Sequence, residues 1–366
     1  MKIGIIGNYG ATNIGDDAIL TSILKDLHNH EIIIFSSNPE ETDKTYDANV
    51  TSLFPLGIRS FIRYGFSYSI KALKDVDVII FGGGGLMQDD YLFACFLWAW
   101  QIFWVKILKK PYFIYATGVG PLRTSIGKKL TKWVYENSKE ITVRDNYSAE
   151  VLQGFGTQKS INITSDPAFL YRINEEIIPE REKGKVLISL RPWKKYNAKT
   201  ISSFISFLTK MKEEKNVRFV FASMQSICEA DMKIINPIIK KLGGEIFIPK
   251  NFSELIQNMQ TAEFAIGMRY HFLIASIITQ TPCLPISYSP KIDELYSGTP
   301  LEKYQLSVAN LDPDYLYEAM KRVSIDYNNI KVYQKARLSV LRDLSEKNVL
   351  LFDKFLKTFD QNQITC

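Results

Sequence analysis

The sequence predicts an α/β protein made of two Rossmann-like domains facing across a cleft and closed by a C-terminal helical tail. Three observations carry this. The chain has 366 residues, 46% of them hydrophobic, which is too long for one ordinary core at ~100–200 residues per domain. Short β-rich runs alternate with helical stretches, the pattern of a parallel sheet with crossover helices. A charged, loop-like stretch, NEEIIPEREKGK at 174–185, interrupts that alternation once, after which it restarts.

The runs of the first half lie at 2–7, 31–36, 76–81, 112–117, 140–144 and 161–164, and those of the second at 185–190, 217–222, 245–248, 263–266 and 283–287. They set a first domain over 1–175, a second over 183–310, and a tail over 311–366. In the tail, apolar residues such as Leu316, Met320, Val340, Leu344 and Phe355 are interspersed among charges at helical spacing. Ligands of such sheets sit outside the carboxyl ends of the strands, so the residues just past each run are the ones to read for chemistry.

Residues 91–108, YLFACFLWAWQIFWVKIL, are almost wholly apolar. Gln101 and Lys106 interrupt them and strand-like runs flank them, so a buried crossover helix is expected over a membrane span. Region 51–74 mixes Phe54, Phe61, Phe66 and Tyr68 with Arg59, Arg63 and Lys71. It reads either as an acceptor or membrane lobe or as an ordinary surface helix pair.

The formal charge of +6 and pI near 8.8 suit anionic ligands or weak attraction to acidic lipid more than duplex binding. No Lys/Arg block tracks a nucleic acid backbone. Cys95, Cys228, Cys283 and Cys366 are far apart, without the spacing of zinc or redox motifs, and read as buried or incidental thiols. The start MKIGIIG is a strand and a turn and not a signal peptide, so residence in the cytoplasm is expected.

Past the first run, Gly7 to Ala18 (GNYGATNIGDDA) leads into a helix. Glycines there let backbone N–H groups approach a ligand at the helix N-terminus. The spacing is not the dinucleotide one, and Asp16 and Asp17 would repel a pyrophosphate while suiting sugar hydroxyls; the plainer alternative is helix capping. Past the third run lies Gly82-Gly83-Gly84-Gly85-Leu86-Met87-Gln88-Asp89. It reads as a ligand-facing loop in which Gln88 and Asp89 hold hydroxyls and Asp89 could serve as a base, or as a tight strand-to-helix connection. Asn13, Asp16, Asp17, Gly83, Gly84, Gln88 and Asp89 form the expected acceptor side.

Arg144 ends one run, Arg191 follows another, and both point at the cleft in this reading, although a single arginine commonly anchors a loop. In Gly267-Met268-Arg269-Tyr270-His271 an arginine and one of three histidines follow another run, and Lys291 follows the next, in Ser287-Tyr288-Ser289-Pro290-Lys291. Arginine offers a planar fork for carboxylate or phosphate, lysine a compact charge, and histidine a proton near neutral pH. Together they describe an anion site with a proton carrier.

These segments, with SDPAF at 165–169, resemble the polysaccharide pyruvyl transferase family, including the cell-wall pyruvyl transferases of Gram-positive bacteria. The resemblance covers most of the chain. It implies a glycosyltransferase-B-like architecture and transfer of a pyruvyl group from phosphoenolpyruvate to two hydroxyls of a sugar, giving a cyclic ketal and phosphate, with no metal or cofactor. It assigns Arg269, His271, Arg144 and Lys291 to the site. Tyr270 stands where many members have leucine. Phosphoenolpyruvate becomes electrophilic at C2 only when its methylene takes a proton, which suits His271 as catalytic acid, while Arg269, Arg144, Lys291 and Arg191 bind the donor. The partners expected are phosphoenolpyruvate and a sugar acceptor, lipid-linked or free, with weak peripheral contact at the inner face of the membrane and no nucleic acid. Two other functions remain open: a nucleotide-sugar-dependent glycosyltransferase of the same architecture, and a catalytically silent anion-sensing scaffold.

Overall fold

A computed structural model describes the chain except residues 12, 90–91, 175–178, 194–197, 215, 225–230 and 365–366. It divides into two compact units. The first comprises residues 1–11, 16–170 and 341–366, and the second 12–15 and 171–340.

The first unit holds seven parallel strands: β1 (Lys2–Ile6), β2 (Glu31–Ser36), β3 (Asn49–Ser52), β4 (Val78–Met87), β5 (Tyr112–Val119), β6 (Glu140–Val143) and β7 (Asn162–Ile163). Their order in the sheet is β3-β2-β1-β4-β5-β6-β7. Helices cover both faces, so the central strands are buried on both sides and read as unbroken apolar runs: Val78, Ile79, Ile80 and Phe81 are wholly buried. Strand β3 was not among the expected runs. It is an edge strand of mixed polarity, Asn-Val-Thr-Ser, with one buried residue.

The second unit repeats the plan with β8 (Glu182–Ser189), β9 (Arg218–Ala222), β10 (Glu245–Phe247), β11 (Ala262–Gly267), β12 (Cys283–Ser287) and β13 (Leu306–Ser307), ordered β10-β9-β8-β11-β12-β13 and all parallel. In each sheet the strand order reverses once, between β1 and β4 and between β8 and β11, where this kind of sheet opens a crevice at its carboxyl edge.

Two expectations change. The glycine run is not a loop. β4 continues through it, pairing Gly82 with Tyr115, Gly84 with Thr117 and Met87 with Val119, with a bulge between Gly84 and Met87. Gly83 and Gly84 have φ of 75° and 87°, a region that side chains disfavour, and a Cβ at Gly84 would stand 2.6 Å from Asp16 Oδ1. The strand therefore runs hard against the helix Ile14–Asp26, which only glycine permits.

The helix Leu92–Ile107 is buried on one face only. Cys95, Trp98, Ala99, Ile102 and Val105 enter the core, while Phe93 on the other face is 61% exposed. Gln101, which breaks the apolar run in sequence, is wholly buried and accepts from Phe54 N at 2.8 Å while donating to Phe54 O at 2.9 Å. Both polar ends of its amide are thus satisfied in the core. Among the described residues no helix is long and apolar enough to cross a membrane. Cys95 and Cys283 are buried free thiols; Cys228 and Cys366 lie outside the described residues.

The tail is two helices, Pro313–Ile325 and Tyr327–Ile364. The early part of the second belongs to the second unit, where Gln334 donates to Thr281 O at 2.9 Å and Arg337 to Leu295 O at 2.9 Å. Its later part belongs to the first, where Phe352 and Phe355 meet Phe113 at 5.2 and 5.7 Å and Asn348 donates to Ser165 O at 3.0 Å.

Candidate active site

In the second unit β11 lies between β8 and β12, so the carboxyl ends of these three strands are adjacent. Arg191 follows β8 by two residues. Arg269 follows β11 by two and occupies the N-cap position of the helix Tyr270–Ile278, in which His271 is second. Tyr288 directly follows β12, and Lys291 sits in the first turn of the helix Pro290–Tyr296. Met268 N donates to Ser189 O at 2.9 Å, tying the β11 exit to β8. Arg191, Arg269, His271, Tyr288 and Lys291 are all half-buried.

Tyr288 is the centre of this group. Arg191 Nη1 donates to its hydroxyl at 2.7 Å, the guanidinium carbon of Arg191 is 4.5 Å from the ring centroid and Lys291 Nζ is 5.7 Å from it. Trp193 packs on the ring at 5.0 Å. Burial alone would push the phenol up, but Lys291, Arg191 and Arg269 outweigh it and bring it down to about 8. The same cations favour an anionic ligand here.

Arg269 is gripped through one Nη by Asp231 Oδ1; Asp231 is wholly buried and its other oxygen accepts from Met224 N at 3.3 Å. His271 meets the Tyr270 ring edge-on at 5.3 Å. Gly15, which belongs to the second unit, lies so close that any Cβ there would overlap His271 Nδ1. Asn13 Oδ1 accepts from Gly15 N at 3.2 Å, holding this glycine segment.

The remaining expected residues lie in the first unit. Asn8 Nδ2 donates to Asp16 Oδ2 at 2.6 Å, and Asp16 is buried against Gly84. Burial, with Asp16 next to it, pushes the Asp17 carboxyl up to about 6. Gly83 presses on Ile19, and Gln88 is half-buried, its carbonyl facing Cys95 Sγ at 3.4 Å. Asp89 is a structural carboxylate. Arg123 N reaches both of its oxygens at 2.9 and 2.7 Å and Thr124 N reaches Oδ2 at 2.5 Å. Burial works against its charge, but these N–H groups prevail and hold it below the usual carboxylate range, which suits loop closure and not proton abstraction.

Arg144 is buried, with Nη1 on Asp166 Oδ2 at 2.9 Å and Nε 3.5 Å from Asp145 Oδ2. Its guanidinium passes beside Gly118, where a Cβ would come within 2.7 Å, and near Gly85. The structure thus gathers Arg191, Arg269, His271 and Lys291 within the second unit, and Asp16, Gly84 and Arg144 near the carboxyl ends of β1, β4 and β6 in the first. Sequence reasoning missed Asp231, 38 residues from its partner and outside any recognisable pattern. It also passed over Tyr288, although that residue lies inside a segment already singled out. Among the described residues no group of three or more His, Cys, Asp or Glu side chains is placed to hold a metal ion.

With that geometry in place, similarity to known proteins becomes informative. The amylovoran biosynthesis protein AmsJ of Erwinia amylovora is 26% identical over 212 residues, 47% of this chain and 49% of the relative, so the match spans about half of AmsJ. HepE of Anabaena, solved with UDP-glucose, superposes with a TM-score of 0.66 at 10% identity, covering 98% of this chain and 100% of that one. The S. aureus MnaA–UDP structure gives 0.66 at 15% identity, covering 97% of each. WaaG, a glycosyltransferase involved in lipopolysaccharide biosynthesis, gives 0.56 at 12%, covering 95% and 98%. At these identities the likeness shows the fold alone, the expected glycosyltransferase-B-like one. The family model described as polysaccharide pyruvyl transferase matches residues 13–290, and since that is most of the sequence, the chain belongs to the polysaccharide pyruvyl transferase family.

Proposed function

We propose that the protein transfers the pyruvyl group of phosphoenolpyruvate to two hydroxyls of a sugar in a cell-surface polysaccharide or its precursor, forming a ketal and releasing phosphate. One observation carries this reading: three adjacent strand ends of one sheet deliver Arg191, Arg269, Lys291 and His271. The three cations hold the carboxylate and phosphate and offset charge gathering on the leaving phosphate. His271 gives the methylene carbon its proton. Arg144, in the first unit, carries Asp145 and Asp166 on its guanidinium, as Arg269 in the second carries Asp231. The acceptor side is assigned to the first unit, at Asp16, Asp17 and the glycines of β4, with Asn13 and Gly15 next to them in sequence.

Calorimetric titration with phosphoenolpyruvate, with UDP-glucose alongside, tests this. Binding of phosphoenolpyruvate that Arg269→Ala abolishes and His271→Ala largely keeps supports the transferase. Binding of UDP-glucose with indifference to phosphoenolpyruvate sinks it and favours the nucleotide-sugar reaction suggested by the ligand of HepE.

Peripheral contact with an anionic lipid surface is proposed for the first unit. The helix Ile58–Tyr64 leaves Ile62 78% and Phe61 54% exposed. Phe61 is linked through Phe66 and Trp100 to Phe103 by ring contacts of 5.6, 6.3 and 5.5 Å. Arg63, Lys71 and Lys106 are exposed on the same helices or their neighbours. Aromatics beside cations suit the bilayer interface. Retention on phosphatidylglycerol vesicles at low salt, release at high salt and loss of retention in Phe61→Ser/Ile62→Ser are the expected results; no retention at any salt refutes the contact.

A further inference from the structure

The phenol of Tyr288 is at once the hub of the cationic cluster and a group with no assigned part in the chemistry. Its oxygen accepts a hydrogen bond from Arg191 Nη1 at 2.7 Å, Lys291 flanks its ring from the following helix, and Trp193 covers the ring at 5.0 Å. The groups facing it come from three strand exits: Arg191 after β8, Arg269 after β11, itself shared with the buried carboxylate of Asp231, and Lys291 after β12. A tyrosine needed only for packing would not require a guanidinium on its hydroxyl and an ammonium beside its ring. A phenol that must give up its proton would.

We propose that Tyr288 is a catalytic residue, the proton acceptor for the attacking sugar hydroxyl, paired with His271 as the proton donor to the methylene carbon. This rests on the pyruvyl-transfer reading. In the first step the phenolate oxygen takes the proton of one sugar hydroxyl as that oxygen bonds to C2 of the enolpyruvyl group. The C2–C3 π electrons take the His271 proton at C3, and a tetrahedral phosphate adduct forms. In the second step the other hydroxyl bonds to C2 and yields its proton to the now neutral His271, while the C2–O bond to phosphate breaks. The Tyr288 proton passes to the departing phosphate oxygen. Two hydroxyl protons are lost, one replaced at C3 and one on phosphate, and both side chains return to their starting states. The arrangement also predicts a response to substrate: bound phosphoenolpyruvate brings negative charge among the same cations, so it must raise the proton affinity of the phenol.

The test is ultraviolet difference titration of phenolate in wild type against Tyr288→Phe, with and without phosphoenolpyruvate, together with steady-state phosphate release on whichever of methyl mannoside, galactoside and glucoside supports it. Expected is one phenolate that appears near pH 8, is missing in Tyr288→Phe, and moves to higher pH when phosphoenolpyruvate is added. In turnover, Tyr288→Phe should lose about 10²-fold in kcat with little change in phosphoenolpyruvate affinity, and should lose the pH limb that wild-type kcat/KM shows near that value. If the difference spectrum shows no ionisation below the ordinary tyrosine range, or if Tyr288→Phe keeps full turnover and the same pH limb, the role of Tyr288 falls while the transferase reading stands. If the phenolate appears near pH 8 and ignores phosphoenolpyruvate, the donor site is not here. That outcome overturns the functional reading and this role together, separately from the ionisation itself.

Discussion

Asp231, wholly buried, holds the guanidinium of Arg269, which stays partly open to solvent at the exit of β11. The carboxylate fixes the direction of the fork before any ligand arrives, so that less side-chain freedom is lost on binding. Removing it in Asp231→Ala should leave an uncompensated cation in the fold, costing about 3 kcal/mol of stability, and should weaken phosphoenolpyruvate binding. Denaturant midpoints and calorimetry measure the two effects. Unchanged affinity would show that Arg269 needs no such support.

Gly15→Ala places a methyl group where the His271 imidazole now sits. The ring must turn away, so turnover should fall at least roughly tenfold while phosphoenolpyruvate still binds, because misplacement of a proton donor raises the barrier without touching the anion clamp. Turnover and calorimetry on the same preparation separate these. Undiminished turnover would mean that His271 acts from another rotamer.

Asp17 has a carboxyl pushed up by burial and by Asp16, from 3.8 to about 6. A raised carboxyl pKa means that the folded state binds the proton more tightly than the unfolded chain. Its contribution is therefore fully present below about pH 4 and lost as pH rises through about 6. Asp17→Asn should remove this dependence and stabilise the protein by about 1–3 kcal/mol at neutral pH relative to wild type. Urea midpoints across pH 4 to 7 are the check, and parallel curves for the two proteins would contradict it.

Gln101→Leu would strip both backbone groups of Phe54 of their partner inside the core. A loss of roughly 2–4 kcal/mol is expected, the desolvation of two buried polar groups less some gain from added apolar volume. Equilibrium unfolding measures it, and a neutral or stabilising result would show that water reaches Phe54.

The central strands were legible because a parallel strand covered on both faces must be apolar throughout, as Val78 to Phe81 are. Arg191, Arg269 and Lys291 could be placed at strand exits because each follows such a run by two to four residues. The edge strand β3 lacked that signature, since only Ser52 of it is buried. The glycines looked like a loop because glycine weakens strands on average, whereas here close passage of a helix N-terminus forces them into one. The open face of the helix Leu92–Ile107 was hidden by its composition: Phe93 and Trp98 are equally apolar in sequence, and only packing distinguishes them. Asp231 and Tyr288 depend on side chains meeting across distant segments, which no local pattern records.

The first unit is assembled from segments far apart in sequence, residues 341–366 joining residues 1–11 and 16–170. During synthesis the second unit, almost all of whose chain is continuous, can settle as soon as it leaves the ribosome. The first leaves Phe113 without these partners until Phe352 and Phe355 have been made. The chain between them becomes the loop that this contact has to close, a pairing of high sequence separation of the kind that slows folding.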